Sequence, residues 1–184
     1  MVRILVRGSA SLLLLVLACS VSRLNAQGQG NAIDSVLIQF PGFHLVTLQE
    51  RDSDARAYIQ RRFSKDNPSV VHADFDGDGN PDFAVLLKAD KSTAAKLVVL
   101  LCAGNRPCKS VYELDETGYY GSVYLRPVAA GSRISQTDAI DTGDSTPPVR
   151  LSSAGVRITY FGKGEVVLYW DKKLKKIREI QTED

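Results

Sequence analysis

The sequence predicts an α+β fold, a mainly antiparallel β-sheet built of meanders and hairpins with one principal α-helix packed on it. Three observations carry this expectation. Eight short β-branched or aromatic runs succeed one another from Ser69 onward. Helical periodicity is confined to residues 52–63. Turn-forming residues separate the runs at hairpin spacing. The composition agrees with a globular chain: 184 residues, 44% hydrophobic and 24% charged, near ordinary usage and unlike disordered, collagen-like or coiled-coil sequences.

At the start of the chain, Arg3 and Arg7 form a positive region before the apolar run Leu12–Ala18, which is too short for a helix spanning a bilayer core of ~30 Å. The reading is a secretory signal peptide over 1–26, with Leu24-Asn25-Ala26 placing a small residue before Gln27. A second chemistry stays open. Val16-Leu17-Ala18-Cys19 resembles a bacterial lipobox, which would make 1–18 the signal and Cys19 a lipidated N-terminus. The protein is therefore expected to be exported, periplasmic or extracellular, and to meet a membrane only through its signal or a lipid on Cys19. Residues 27–33 read as a linker and 34–184 as a single β-rich domain.

Export changes the charge. The whole chain has 23 basic and 21 acidic residues, net +2; loss of Arg3, Arg7 and Arg23 and of no acid leaves 20 against 21, net −1. That balance excludes the strongly basic face of a dedicated nucleic-acid binder. Cysteine usage changes too. Without Cys19, Cys102 and Cys108 remain as an even pair, and in an oxidising compartment they are expected to close a small disulfide loop.

Taking the elements in order, Asp34 to Leu48 holds VLIQF and FHLVTL around Pro41-Gly42, a strand or helical turn followed by a strand. Asp52, Ser53 or Asp54 caps a helix running to Phe63, in which Ala55, Tyr58, Ile59 and Phe63 recur on one face and Arg56, Gln60, Arg61 and Arg62 on the other. Lys65-Asp66-Asn67-Pro68 stops it. The strands follow as SVVHADF, DFAVLLK, KLVVLLC, KSVYELD, SVYLRPV, VRITYF, EVVLYW and KKIREI. Tight turns at Phe161–Glu165 and Trp170–Leu174 make the last three sequential antiparallel neighbours. Ala129 to Pro148, rich in Gly, Ser, Thr, Asp and Pro, reads as a long exposed loop.

The sharpest motif is Asp74-Phe75-Asp76-Gly77-Asp78-Gly79-Asn80-Pro81-Asp82, four carboxylates within nine residues. So dense a set of like charges calls for a cation. Calcium suits it, as a hard ion taking six to eight oxygens at ~2.3–2.6 Å. Alternate positions converge in such a loop, so Asp74, Asp76, Asp78 and Asp82 are expected to give side-chain oxygens and Asn80 its backbone carbonyl, with Gly79 at the sharp turn. An EF-hand is excluded, because Val85 occupies the twelfth position, where a bidentate Glu is needed, and the flanks are strand-like.

The stretch His72 to Val85 resembles the calcium loop of FG-GAP and VCBS-type repeats, and the ending from Tyr160-Phe161 through Tyr169-Trp170-Asp171 looks like that of small secreted bacterial proteins with one such loop. The first resemblance implies an antiparallel hairpin around a bound calcium. The loop occurs once, which argues against a propeller within this chain.

No catalytic residues are assigned. GxSxG, HExxH and P-loop patterns are missing from the sequence. His72 lies near the loop as an ordinary strand residue, His44 has no sequence-local partner, and Asp115-Glu116, Asp141 and Asp144 read as solvated turn acids. Tyr119, Tyr120, Tyr124, Tyr160, Tyr169 and Trp170 are expected to pack in the core and in cross-strand pairs, and the Lys172 to Arg178 cluster to keep a terminal hairpin soluble. The functional expectation is an exported calcium-binding, non-catalytic binding or accessory module of the cell envelope, its partner an unidentified protein or glycan and its calcium structural. The alternative is a small secreted or periplasmic hydrolase using the 129–148 loop and nearby acids.

Overall fold

The computed structural model describes residues 33–63, 68–104, 106–136 and 147–183. Segment 1–26, including Cys19, lies outside the described residues, as do 27–32, Asp141 and Asp144. The chain divides into two units, Met1–Pro41 and Gly42–Asp184. In the first, residues 33–37 are helical (α1), and the chain leaves them through turns in which Ile38 N–H donates to Asp34 O and Phe40 N–H to Leu37 O. No helix among the described residues is long and apolar enough to cross a membrane.

The second unit is mostly antiparallel β-sheet. In the first sheet, β1 (Phe43–Leu45) and β2 (Val70–Ala73) both pair with β3 (Asp82–Ala89), β1 at its C-terminal end through Leu45 and Leu87, β2 at its N-terminal end through Ala73 and Asp82. β4 (Ala95–Leu101) and β5 (Lys109–Asp115) continue the meander. β6 (Val123–Val128), β9 (Gly155–Tyr160), β10 (Gly164–Asp171) and β11 (Lys176–Glu183) form the second sheet in the order β11-β10-β9-β6. Between its first two members, β7 (Arg133–Ile134) and β8 (Val149–Arg150) pair as a short ribbon.

Alternation along the strands sends one set of side chains between the sheets, while Val85, Leu87, Val98 and Leu100 on the opposite face of β3 and β4 are buried as well. Ala84, Leu86, Leu97 and Val99 of the first sheet meet Val123, Leu125, Val156, Ile158 and Leu168 of the second in one buried cluster. The sheets also meet at both sides: Leu125 N–H donates to Pro68 O at 2.7 Å beside β2, and Tyr112 of β5 donates its hydroxyl to Glu179 of β11 at 2.8 Å. Buried Arg51 pins the same region, donating through Nη1 to Val123 O and through Nη2 to Ser69 Oγ at 2.6 Å.

The longer helix, α2 (Ser53–Arg62), begins after Asp52, whose carbonyl accepts Arg56 N–H at 2.8 Å and whose side chain makes no capping bond. Ala55 and Ile59 are buried, and the Tyr58 ring lies 5.8 Å from that of Tyr124 on β6 and 5.3 Å from that of Phe161. Asp52 N–H donates to Gly121 O, and a Cβ on Gly121 would stand 2.5 Å from Asp52 Oδ1, so a larger residue there would have to displace the Asp52 side chain.

Two expectations change. The described residues hold a second, shorter helical segment in addition to α2, because VLIQF, which suits strand and helix alike, begins within α1. The single sheet becomes two facing sheets, because β6 pairs with the distant β9. The 129–148 loop is ordered at both ends: Ile134, Val149 and Leu151 pack with Val167 and Ile180 in a second core, and residues 137–146 lie outside the described set.

Candidate metal centre

The acidic array sits on the β2–β3 hairpin, closed by the pair Ala73 and Asp82. Phe75, at the start of the loop, is buried in the main core, and its neighbours Asp74 and Asp76 are half-buried. The loop is also tied to the segment before β9: Asp74 O accepts Ala154 N–H at 3.2 Å, and Phe75 O accepts the Ser153 hydroxyl. Its base is therefore anchored in the core.

Within the loop, carboxylates accept amide protons and curl the backbone around themselves. Asp74 Oδ1 accepts Gly77 N–H at 2.7 Å and Asp78 N–H at 3.1 Å, while Oδ2 accepts Gly79 N–H at 3.0 Å. Asp76 Oδ1 accepts Asp78 N–H at 3.0 Å. Asp78 receives both the N–H and the side-chain amide of Asn80, at 2.7 and 2.9 Å, and these bonds lower its pKa. Gly77 and Gly79 have φ of 80° and 88°, a region that side chains disfavour.

Asp74, Asp76 and Asp78 each offer one oxygen within 4.8 Å of the others, the one group of three or more such donors among the described residues. Burial raises the Asp76 pKa, opposed by the Asp78 amide and by Lys172 and assisted by the charges of Asp78 and Asp74. Lys172 is a contact that sequence reading missed. Its turn between β10 and β11 is folded by Asp171, whose Oδ1 accepts the N–H groups of Lys173 and Leu174. The Lys172 ammonium thereby reaches Gly77, lying 2.8 Å from where a Cβ would stand. A cation thus already lies beside the acids, and a set made only of oxygen donors suits a hard divalent ion.

Asp82 stands outside that triad. It is wholly buried, its Oδ2 accepting Phe75 N–H at 2.7 Å and its Oδ1 accepting Cys102 N–H at 2.8 Å. Burial pushes its pKa up to about 6 against the pull of these amides. Cys102 in turn is joined to Cys108 by the expected disulfide.

His72 is exposed beside the Phe83 ring, 4.7 Å between centroids. His44 has partners that only the fold supplies: Nδ1 lies 2.7 Å from Asp90 and Nε2 3.0 Å from Glu50, which also binds Lys88. With both ring nitrogens facing carboxylates, His44 is a clasp for its surroundings and has no lone pair for base catalysis when charged. Glu116, expected as a solvated turn acid, is instead buried, its Oε1 accepting the Tyr160 hydroxyl at 2.7 Å. On the second sheet, buried Glu165 holds Arg126, Arg157 and Thr159.

Compared with known proteins, the chain matches no family model, no curated protein and no solved structure.

Proposed function

We propose that the protein is an exported calcium-binding accessory module of the cell envelope, non-catalytic, in which calcium is structural. The observation that carries this reading is the convergence of Asp74, Asp76 and Asp78 on a loop anchored at its base. Their side chains, with the Asn80 carbonyl, are the intended ligands, Asp82 holds the base of the loop from inside through the Phe75 amide, and the FG-GAP and VCBS-type resemblance of His72 to Val85 supports the choice of ion. We read the fold as α+β with Ser53–Arg62 as its principal helix. Export is supported by the basic and apolar leader and by the Cys102–Cys108 bridge, since such bonds persist in oxidising compartments. The partner is a protein or glycan.

Calcium that binds only the folded form stabilises it, by about 2.7 kcal/mol at a hundred times its dissociation constant. Titration calorimetry tests the assignment: wild-type protein takes up one calcium and Asp76→Asn binds it at least tenfold more weakly. Equal affinities for the two proteins, or heat from neither, would sink it.

A further inference from the structure

We propose that the Cys102–Cys108 disulfide governs the order of the acidic loop, with Asp82 as the positioning residue that connects them; this rests on the calcium reading for its functional meaning, although not for its test. The connection is short and buried. One Asp82 oxygen accepts the N–H of Cys102, the other accepts the N–H of Phe75 inside the loop, and the side chain between them is fully enclosed. The register explains the meeting, since β3 and β4 pair through Phe83 and Leu100, which brings the start of β3 beside the residues that follow Leu101.

Each end of this link has a reason to be sensitive. Cys102 follows the last residue of β4, where the pairing of Leu101 with Lys109 closes the base of its loop, so its backbone is held by that ladder on one side and by the disulfide and the bond to Asp82 on the other. A buried carboxylate that loses an amide donor is left less satisfied, and its surroundings rearrange to relieve it. Phe75 is the residue through which that rearrangement enters the loop, because its neighbours on both sides, Asp74 and Asp76, belong to the triad.

The chemistry is ordinary thiol exchange. Cys108 is the more open of the two cysteines, with Cys102 only 8% exposed. A thiolate of a small dithiol attacks Cys108 Sγ, the S–S bond breaks, and Cys102 leaves as a thiolate that takes up a proton. The second thiol of the reagent then displaces Cys108, so the protein gains two electrons and two protons as two thiols and the reagent departs as its own disulfide. In the oxidised protein the loop is held; in the reduced protein it is released.

The test compares oxidised wild type, wild type held reduced by excess dithiothreitol, Cys102→Ser/Cys108→Ser, Asp82→Asn, and the triple variant. Amide hydrogen exchange is read at residues 75–80, with residues 156–159 of β9 as an internal reference, and calcium affinity is measured in parallel. Reduction is expected to speed exchange at 75–80 by about tenfold and to weaken calcium binding by a similar factor, within the usual range of coupling between sites. Asp82→Asn should loosen the loop with the disulfide intact, and reduction should then add little. Unchanged exchange at 75–80 on reduction overturns the proposal, as does a full effect of reduction in the Asp82→Asn background. If the serine variants fail to fold, reduced wild type decides. Absence of calcium binding in every form would remove the metal reading, and the exchange results would still decide this one.

Discussion

Tyr160, the last residue of β9, donates its hydroxyl to Glu116 Oε1 at 2.7 Å and so joins the second sheet to the turn after β5 of the first. Glu116 is 1% exposed and its other oxygen has no hydrogen-bond partner among the described residues. Burial pushes its pKa from 4.5 up to about 7, opposed by the Tyr160 bond and assisted by Asp115. A pKa raised on folding gives stability that is full below about 4.5 and lost as pH rises through about 7, on the order of 3 kcal/mol in all. Glu116→Gln should therefore gain in melting temperature relative to wild type between pH 5 and pH 8. Parallel curves for the two proteins would contradict this account of the buried acid.

His44 titrates with the same sign but at the surface. Its bond to Asp90 and then its bond to Glu50 raise its pKa above 6.5, burial opposing. Protonated His44 thus adds stability below pH 6.5 that is lost as pH rises through the raised value. Glu50 remains ionised throughout: burial pushes its pKa up, but the Thr47 amide, Lys88 and His44 bring it to about 2. In an NMR titration, Asp90→Asn should move the His44 midpoint down toward 6.5. An unmoved midpoint would show that the Asp90 contact is not formed in solution.

These two groups mark where sequence reading stopped. Strand runs such as EVVLYW and KKIREI became β10 and β11 because a tight hairpin is specified by residues next to one another. The acidic hairpin and the Cys102–Cys108 pair were legible for the same reason. The division into two sheets was not, since β6 finds β9 across a connection whose sequence prescribes no partner. Glu116 looked like the solvated neighbour of Asp115, and its burial comes from Tyr160, 44 residues away. The only sequence hint was an apolar environment of tyrosines on both sides. Lys172 was one of several lysines, singled out by a turn whose direction depends on the packing of both sheets.

Removing the Lys172 charge should favour a metal ion at the loop. Lys172 is an exposed ammonium that lowers the Asp76 pKa and lies over Gly77. A second cation in that place repels the first, so Lys172→Gln should tighten calcium binding by about two- to tenfold, the gain shrinking as salt is raised. Weaker binding in this variant would mean that Lys172 supports the site by positioning it.

Arg51 makes a different kind of contribution. It stays charged at neutral pH although burial lowers its pKa to about 10. Arg51→Leu strands the Val123 carbonyl and loosens Ser69, whose hydroxyl donates to Val46 O. The expected loss is about 3 kcal/mol, read as a lower urea midpoint with an unchanged slope. A change within about 0.5 kcal/mol would contradict the role of Arg51 as a pin between the sheets.

A calcium ion held by the proposed Asp74, Asp76 and Asp78 site should stabilise the folded chain. Thermal unfolding of the disulfide-intact protein in millimolar calcium and in EDTA tests it most directly. The melting temperature should be several degrees higher in calcium, and the difference should disappear in Asp76→Asn. Superimposable wild-type curves in the two solutions would contradict it and leave the loop as an acidic turn held by its own amides.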